Sequence, residues 1–218
     1  MRTALAVLAC LIVFDSLGLA APKQHVVAFG KWTAIKWSPD DESKPQDVKV
    51  RPLFVDARIR EFTVGPAHDV TERTFTVQRM FRLNDSLPQE AGPAHWRWER
   101  GGWLLVDRVS GKVQQIILPE FAPSLSLVNW FRDYAAYCGV AADGVKVLAI
   151  IVQLGKRKAL LKKAIGDAGT QTSICPAPVW QRTPVRVIFQ TNAEQKLIFS
   201  VKSRAGDVAT EDENEGEE

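Results

Sequence analysis

The chain has 218 residues, of which 46% are hydrophobic, 24% charged and 9% aromatic, with 14 glycines and 12 prolines. This composition excludes wholesale disorder, a collagen-like repeat and a polytopic membrane protein, and the length suffices to bury a real core. The formal net charge of +3 is unevenly spread: residues 211–218 hold six acids and no base, so the rest of the chain is more basic than the total indicates.

The N-terminus has the parts of a secretory signal peptide. Arg2 is a short positive region, Ala4 to Phe14 is an uninterrupted apolar run, and Gly18-Leu19-Ala20 puts small residues where a signal peptidase reads. Residues 1–20 are therefore expected to be removed, with cleavage after Ala20. The rival reading is a retained anchor, but a spanning helix needs about 20 apolar residues and Asp15 cuts this run short. The mature chain is expected to be secreted or periplasmic, with no transmembrane span. Loss of Cys10 leaves Cys138 and Cys175. An even pair in an oxidising compartment predicts one disulfide, worth roughly 3–4 kcal/mol in the chain-entropy model. Two buried thiols are the alternative.

In the mature chain, strand signals come first. His25 to Trp37 is rich in Val, Phe, Trp and Ile, and Trp32 and Trp37 would fall on opposite faces of a regular strand. Ser38 to Pro45 is a polar loop. Val48 to Val64 mixes apolar and charged residues on both parities, which predicts an exposed or edge strand ended by Gly65-Pro66. Thr74 to Leu83 alternates, with Phe75, Val77, Arg79 and Phe81 on one side. Trp96-Arg97-Trp98-Glu99 also alternates. Gly101-Gly102 then predicts a turn into Trp103–Asp107, and Ser110-Gly111 a second turn into Val113–Leu118, giving three short strands.

An aromatic stretch follows, Leu125 to Val140, and Asp143-Gly144 marks another hairpin turn. Lys146 to Leu154 is almost continuously apolar, as expected of a central strand buried on both faces. Lys156 to Ile165 contains the densest basic residues, Lys156-Arg157-Lys158 and Lys162-Lys163. It reads as a strand or as a short helix, because Leu160, Leu161, Ala164 and Ile165 share a helical face; a strand suits its surroundings better. Val185–Gln190 and Lys196–Val201 predict the last hairpin.

The expected organisation is one all-β domain over residues 21–206 and a disordered acidic tail over 207–218, too polar to order. Antiparallel hairpins, with at most one or two short helices, would form a small propeller-like domain or a sandwich or barrel. Residues 96–165 resemble β-propeller blades. The matching elements are Trp103-Leu104-Leu105-Val106-Asp107 with Ser110-Gly111-Lys112-Val113, then Asp133-Tyr134-Ala135-Ala136-Tyr137, Asp143-Gly144 and the strand from Lys146. The resemblance implies repeated four-stranded units. The sandwich or barrel stands beside it, because Lys112, Lys146 and Lys196, each following a turn, do not keep a fixed period.

Chemistry is sparsely signalled. His25, His68 and His95 lie at no metal-ligand spacing, and no nucleophile elbow, phosphate loop or dinucleotide fingerprint is present. No metal or cofactor is expected, and the balance is against an enzyme. The seven tryptophans are more informative. Trp96, Trp98 and Trp103 could form a row of indoles for stacking on sugar rings, with Arg97 and Arg100 supplying donors; filling a small β core is the alternative. The expected function is an exported, non-catalytic β-domain with a binding or structural role, its partner a glycan or an envelope protein and, given export, not a nucleic acid. A carbohydrate-binding module and an exported hydrolase with a loop-borne site are the alternatives.

Overall fold

A computed structural model describes residues 24–39, 43–87, 89, 92–168, 175–190, 196–202 and 207–211. The signal peptide and its cleavage site lie outside the described residues. Those described form fifteen strands and no helix. The first sheet contains β1 (Val27–Phe29), β2 (Thr33–Trp37), β3 (Gln46–Val55), β4 (Arg58–Asp69), β5 (Thr74–Asn84), β6 (Trp96–Asp107) and β7 (Val113–Ile116). Its order is β1-β3-β4-β5-β6-β7, with β2 also paired to β3. The second sheet is β8 (Asn129–Phe131), β9 (Tyr134–Val140), β10 (Lys146–Gln153) and β11 (Leu161–Asp167). The third is β12 (Val179–Arg182), β13 (Val185–Gln190), β14 (Lys196–Lys202) and β15 (Asp207–Glu211). Every pairing is antiparallel and no sheet closes into a barrel.

The apolar run of β10 explains the middle of the molecule. Alternate residues of a strand point to opposite faces, so a strand apolar at every position must be covered twice. On one face, Val147, Ala149 and Ile151, with Ala136 and Cys138 of β9, pack against Val187 and Phe189 of β13 and Phe199 and Val201 of β14. On the other face, Leu148, Ile150 and Val152, with Ala135 and Tyr137, pack against Leu118, Trp130 and Trp103. The second sheet is thus the middle layer, sandwiched between the third sheet and one flank of the first. Of the architectures expected from sequence, the sheets form the sandwich-like one. Each large side chain buried here contributes roughly 1.5–3 kcal/mol. The predicted disulfide is present: Cys138 in β9 is bonded to Cys175, with Cα atoms 6.1 Å apart, inside the core between the second and third sheets. Among the described residues no helix is long and apolar enough to cross a membrane.

The first sheet has two cores on opposite faces. Phe75 and Val77 of β5 lie on the same side as Leu53, Leu104 and Val106, with Val27, Phe29 and Val113 packed against them. Three residues further along β5, Met80 lies on the other side with Val64, Val50, Val48 and Trp37. A step of three along a strand changes face, so alternation alone delivers the switch. Register shifts at Leu53/Phe54, Val64/His68 and Gln78/Met80 cross the sheet near this line. At one end β2 reaches β6, where the Arg100 guanidinium lies over the Trp37 ring at 4.2 Å. At the other end the His25 amide donates to the Val109 carbonyl (3.2 Å), joining the approach to β1 to the β6–β7 turn.

Several sequence expectations are corrected. Residues 48–64 are not one edge strand. Asp56 and Ala57, at φ 51° and 62°, turn the chain between β3 and β4, and β3 is an interior strand. Gly65-Pro66 lies within β4, at its register shift. Gly101-Gly102 is not a turn: β6 runs through it, and the two glycines stand against the single residue Arg79 where Gln78 pairs with Trp103 and Met80 with Arg100, one residue extra. A Cβ on Gly101 would meet the Arg79 side chain at 3.1 Å, which suits glycine there. The segment from Lys156 is a strand, as preferred, only from Leu161 on (β11); residues 156–160 are bend and irregular chain. The backbone of Asp207–Glu211 pairs with β14 from Lys202 to Ile198, so the third sheet extends past the boundary drawn at residue 206. Residues 212–218 of the acidic tail lie outside the described residues.

Candidate functional site

The strand β6 carries the three indoles singled out by sequence. With one extra residue between Arg100 and Trp103, the register places Trp96, Trp98 and Trp103 opposite Asn84, Arg82 and Gln78, which share one parity of β5. The three indoles therefore stand on one face of one strand, not across a hairpin. Their surroundings differ. Trp96 is 56% exposed, Trp98 is half-buried, and Trp103 is buried at 9%. Trp103 meets Trp130 of β8 and belongs to the core between the first and second sheets. It does not share a surface with the other two.

Trp96 and Trp98 form a different group. The Arg82 guanidinium lies 5.2 Å from the Trp96 ring and 5.9 Å from that of Trp98. Trp98 meets Phe62 edge to face, with centroids 5.2 Å apart. Arg97 is engaged by carboxylates, with its Nε 3.0 Å from Glu99 and 3.6 Å from Asp85. Beside them is a hollow of about 650 Å³ lined by Trp96, Arg97, Trp98, Lys36, Trp37 and Pro39. An adjoining hollow of about 510 Å³ shares Trp37 and Pro39 and adds Lys44, Gln46 and Arg100. The two make one groove between β2 and β6, divided by Trp37.

Arg100, expected from sequence only as one of two donors near the indoles, proves to be the more distinctive of the pair. Its guanidinium lies over Trp37 and its Nε is buried without a hydrogen-bond partner, as is the Trp37 Nε1. No carboxylate among the described residues pairs with it, and burial pulls its pKa below the ordinary arginine value. A desolvated guanidinium stacked on an indole, with no carboxylate partner among the described residues, is poised to gain from an acceptor oxygen supplied by a ligand. The available signal was the parity: Arg100 continues the Trp96–Trp98 alternation in a strand facing Trp37.

The remaining candidates are committed to structure. His68 donates from Nε2 to the Arg132 carbonyl (2.8 Å) and stacks on Trp130, while its neighbour Asp69 pairs with Arg108 at 2.6 Å. His25 Nδ1 pairs with Asp56 at 2.7 Å. Among the described residues no three His, Cys, Asp or Glu side chains converge as a metal centre requires. No protein-family model, curated protein or solved structure matches this chain.

Proposed function

We propose that this chain is an exported, non-catalytic β-domain protein that binds a carbohydrate bearing acidic groups in the groove between β2 and β6. The observation that carries the reading is Arg100, stacked on Trp37, without a carboxylate partner among the described residues, on the same face of β6 as the exposed Trp96. An exposed indole offers a sugar ring an apolar face, and a partly desolvated guanidinium offers a carboxylate two parallel donors. The leader-like N-terminus and the disulfide support export.

The test is a titration of the mature protein with an oligogalacturonide, followed by intrinsic tryptophan fluorescence, with a neutral gluco-oligosaccharide as comparison. Saturable binding of the acidic oligosaccharide is expected, and Arg100→Gln and Trp96→Ala should each weaken it. No saturable response, or equal binding by both variants, overturns the proposal.

A further inference from the structure

The opposite end of the first sheet carries a second concentration of donors, separate from the aromatic groove. A cavity of about 800 Å³ opens between the β3–β4 turn, the approach to β1 and the β6–β7 turn, and is lined by His25, Arg58, Arg60, Ser110, Lys112 and Asp56. Its floor is Val55 and Gly111. A Cβ on Gly111, which sits at φ +63°, would lie 2.6 Å from Val55 Cγ1 and 2.9 Å from His25 Cβ. Only glycine lets the turn come down so close to Val55 and His25.

The local pairing aims the cations. Leu53 pairs with Glu61 and Phe54 with Ile59, so Arg60 is the extra residue of a bulge. Arg58 and Arg60, on either side of Ile59, both line the cavity. The single carboxylate, Asp56, is occupied: Oδ2 pairs with His25 Nδ1 at 2.7 Å and Oδ1 accepts from the Val26 amide at 3.1 Å. The second nearby acid, Asp107, is held by Arg73 and by the Val109 and Ser110 amides. Arg58, Arg60 and Lys112 have no carboxylate partner among the described residues, so three like charges share one recess with one carboxylate that is already hydrogen-bonded elsewhere.

From this geometry we infer that the recess is an anion site for a phosphate or sulfate group. Three convergent cations repel one another, and a tetrahedral oxyanion relieves that repulsion while accepting charge-assisted hydrogen bonds from each. The Ser110 hydroxyl adds a neutral donor at the rim.

The probe is inorganic pyrophosphate, titrated into the full mature chain at low salt and followed by amide chemical shifts. Saturable shifts centred on Arg58, Arg60, Gly111 and Lys112 are expected. The triple variant Arg58→Gln, Arg60→Gln, Lys112→Gln changes only exposed side chains, and its melting temperature serves as the folding control. It should bind about tenfold or more weakly. A second arm measures sedimentation with vesicles of equal parts phosphatidylcholine and phosphatidylglycerol. Sedimentation that requires the three cations puts the anion on a lipid headgroup; saturable pyrophosphate binding without sedimentation puts it on a soluble ligand. The inference is overturned if neither probe binds, if the triple variant binds as the wild type does, or if the shifts centre on Lys156–Lys158 instead.

Discussion

The indoles of Trp103 and Trp130 meet edge to face across the seam between the first and second sheets, with centroids 5.4 Å apart and rings inclined at 62°. This contact joins a strand whose other indoles face a groove to the middle layer of the molecule. It divides the tryptophans of β6 into one that holds sheets together and two that border a surface.

That division has a measurable consequence. Trp103→Ala removes a buried indole and should cost about 3–5 kcal/mol in denaturant unfolding. Trp96→Ala changes an exposed residue and should shift stability by no more than about 0.5 kcal/mol. Similar losses for the two variants would show that the division is wrong.

The bridge between Cys138 and Cys175 ties β9 to the segment that enters the third sheet. Replacing both cysteines by serine should lower stability by roughly 3–4 kcal/mol, the loop-closure figure, with some addition from polar atoms placed in the core. Calorimetry of the double variant beside the oxidised wild type checks this. An unchanged transition would mean the sandwich closes as firmly without the bond.

Both tyrosines of the chain should resist ionisation. Burial first, then Glu120, pushes the Tyr137 phenol well above its ordinary value of 10.0, and its hydroxyl donates to the Pro119 carbonyl at 2.7 Å. Tyr134 is raised as well, chiefly by burial. The unfolded chain releases these protons near pH 10 while the folded chain keeps them, so stability is intact below that pH and falls as pH climbs toward the folded values. Phenolate absorbance should appear only together with unfolding. Reversible phenolate formation in the native protein, at the pH of free tyrosine, would contradict the burial.

The C-terminus can be cut at two places with different outcomes. Deleting residues 212–218 removes an acidic, nearly apolar-free segment and should leave the melting temperature unchanged. Deleting 207–218 also removes β15 and the partner of β14 from Lys202 to Ile198, and should lower it. Equal melting temperatures for the two truncations would show that β15 adds nothing to the third sheet.

The sequence was most readable where composition and geometry coincide. The apolar run from Lys146 to Leu154 reads best as a strand covered on both faces, which β10 is, and the turns at Ser110-Gly111 and Asp143-Gly144 use glycines at φ 63° and 73°. It was least readable where a residue did what its type rarely does. Asp56-Ala57 turns the chain at positive φ without a glycine, so β3 and β4 merged into one strand on paper. Gly101-Gly102 looked like a turn and serves as an irregularity inside β6. The candidate face was half legible for the same reason. Alternation shows which side Trp96 and Trp98 share, but the burial of Trp103 is imposed by Trp130, and the exposure of Arg100 to the groove depends on β2 curling over to β6.

The double coverage of β10 also carries a hazard. Val147-Leu148-Ala149-Ile150-Ile151-Val152 is uncharged, free of proline and glycine, and rich in β-branched residues, the pattern of segments that stack into amyloid. Native packing hides it completely: β9 and β11 occupy its two edges, and separate cores seal its two faces. Of these guards, β11 is the outermost strand and the most polar, with Lys162 and Lys163 both exposed and, as neighbours on a strand, on its opposite faces. Those lysines are gatekeepers for self-association: peeling β11 away would bare an adhesive edge in the middle of the protein, and their charge is what opposes a second chain from taking its place.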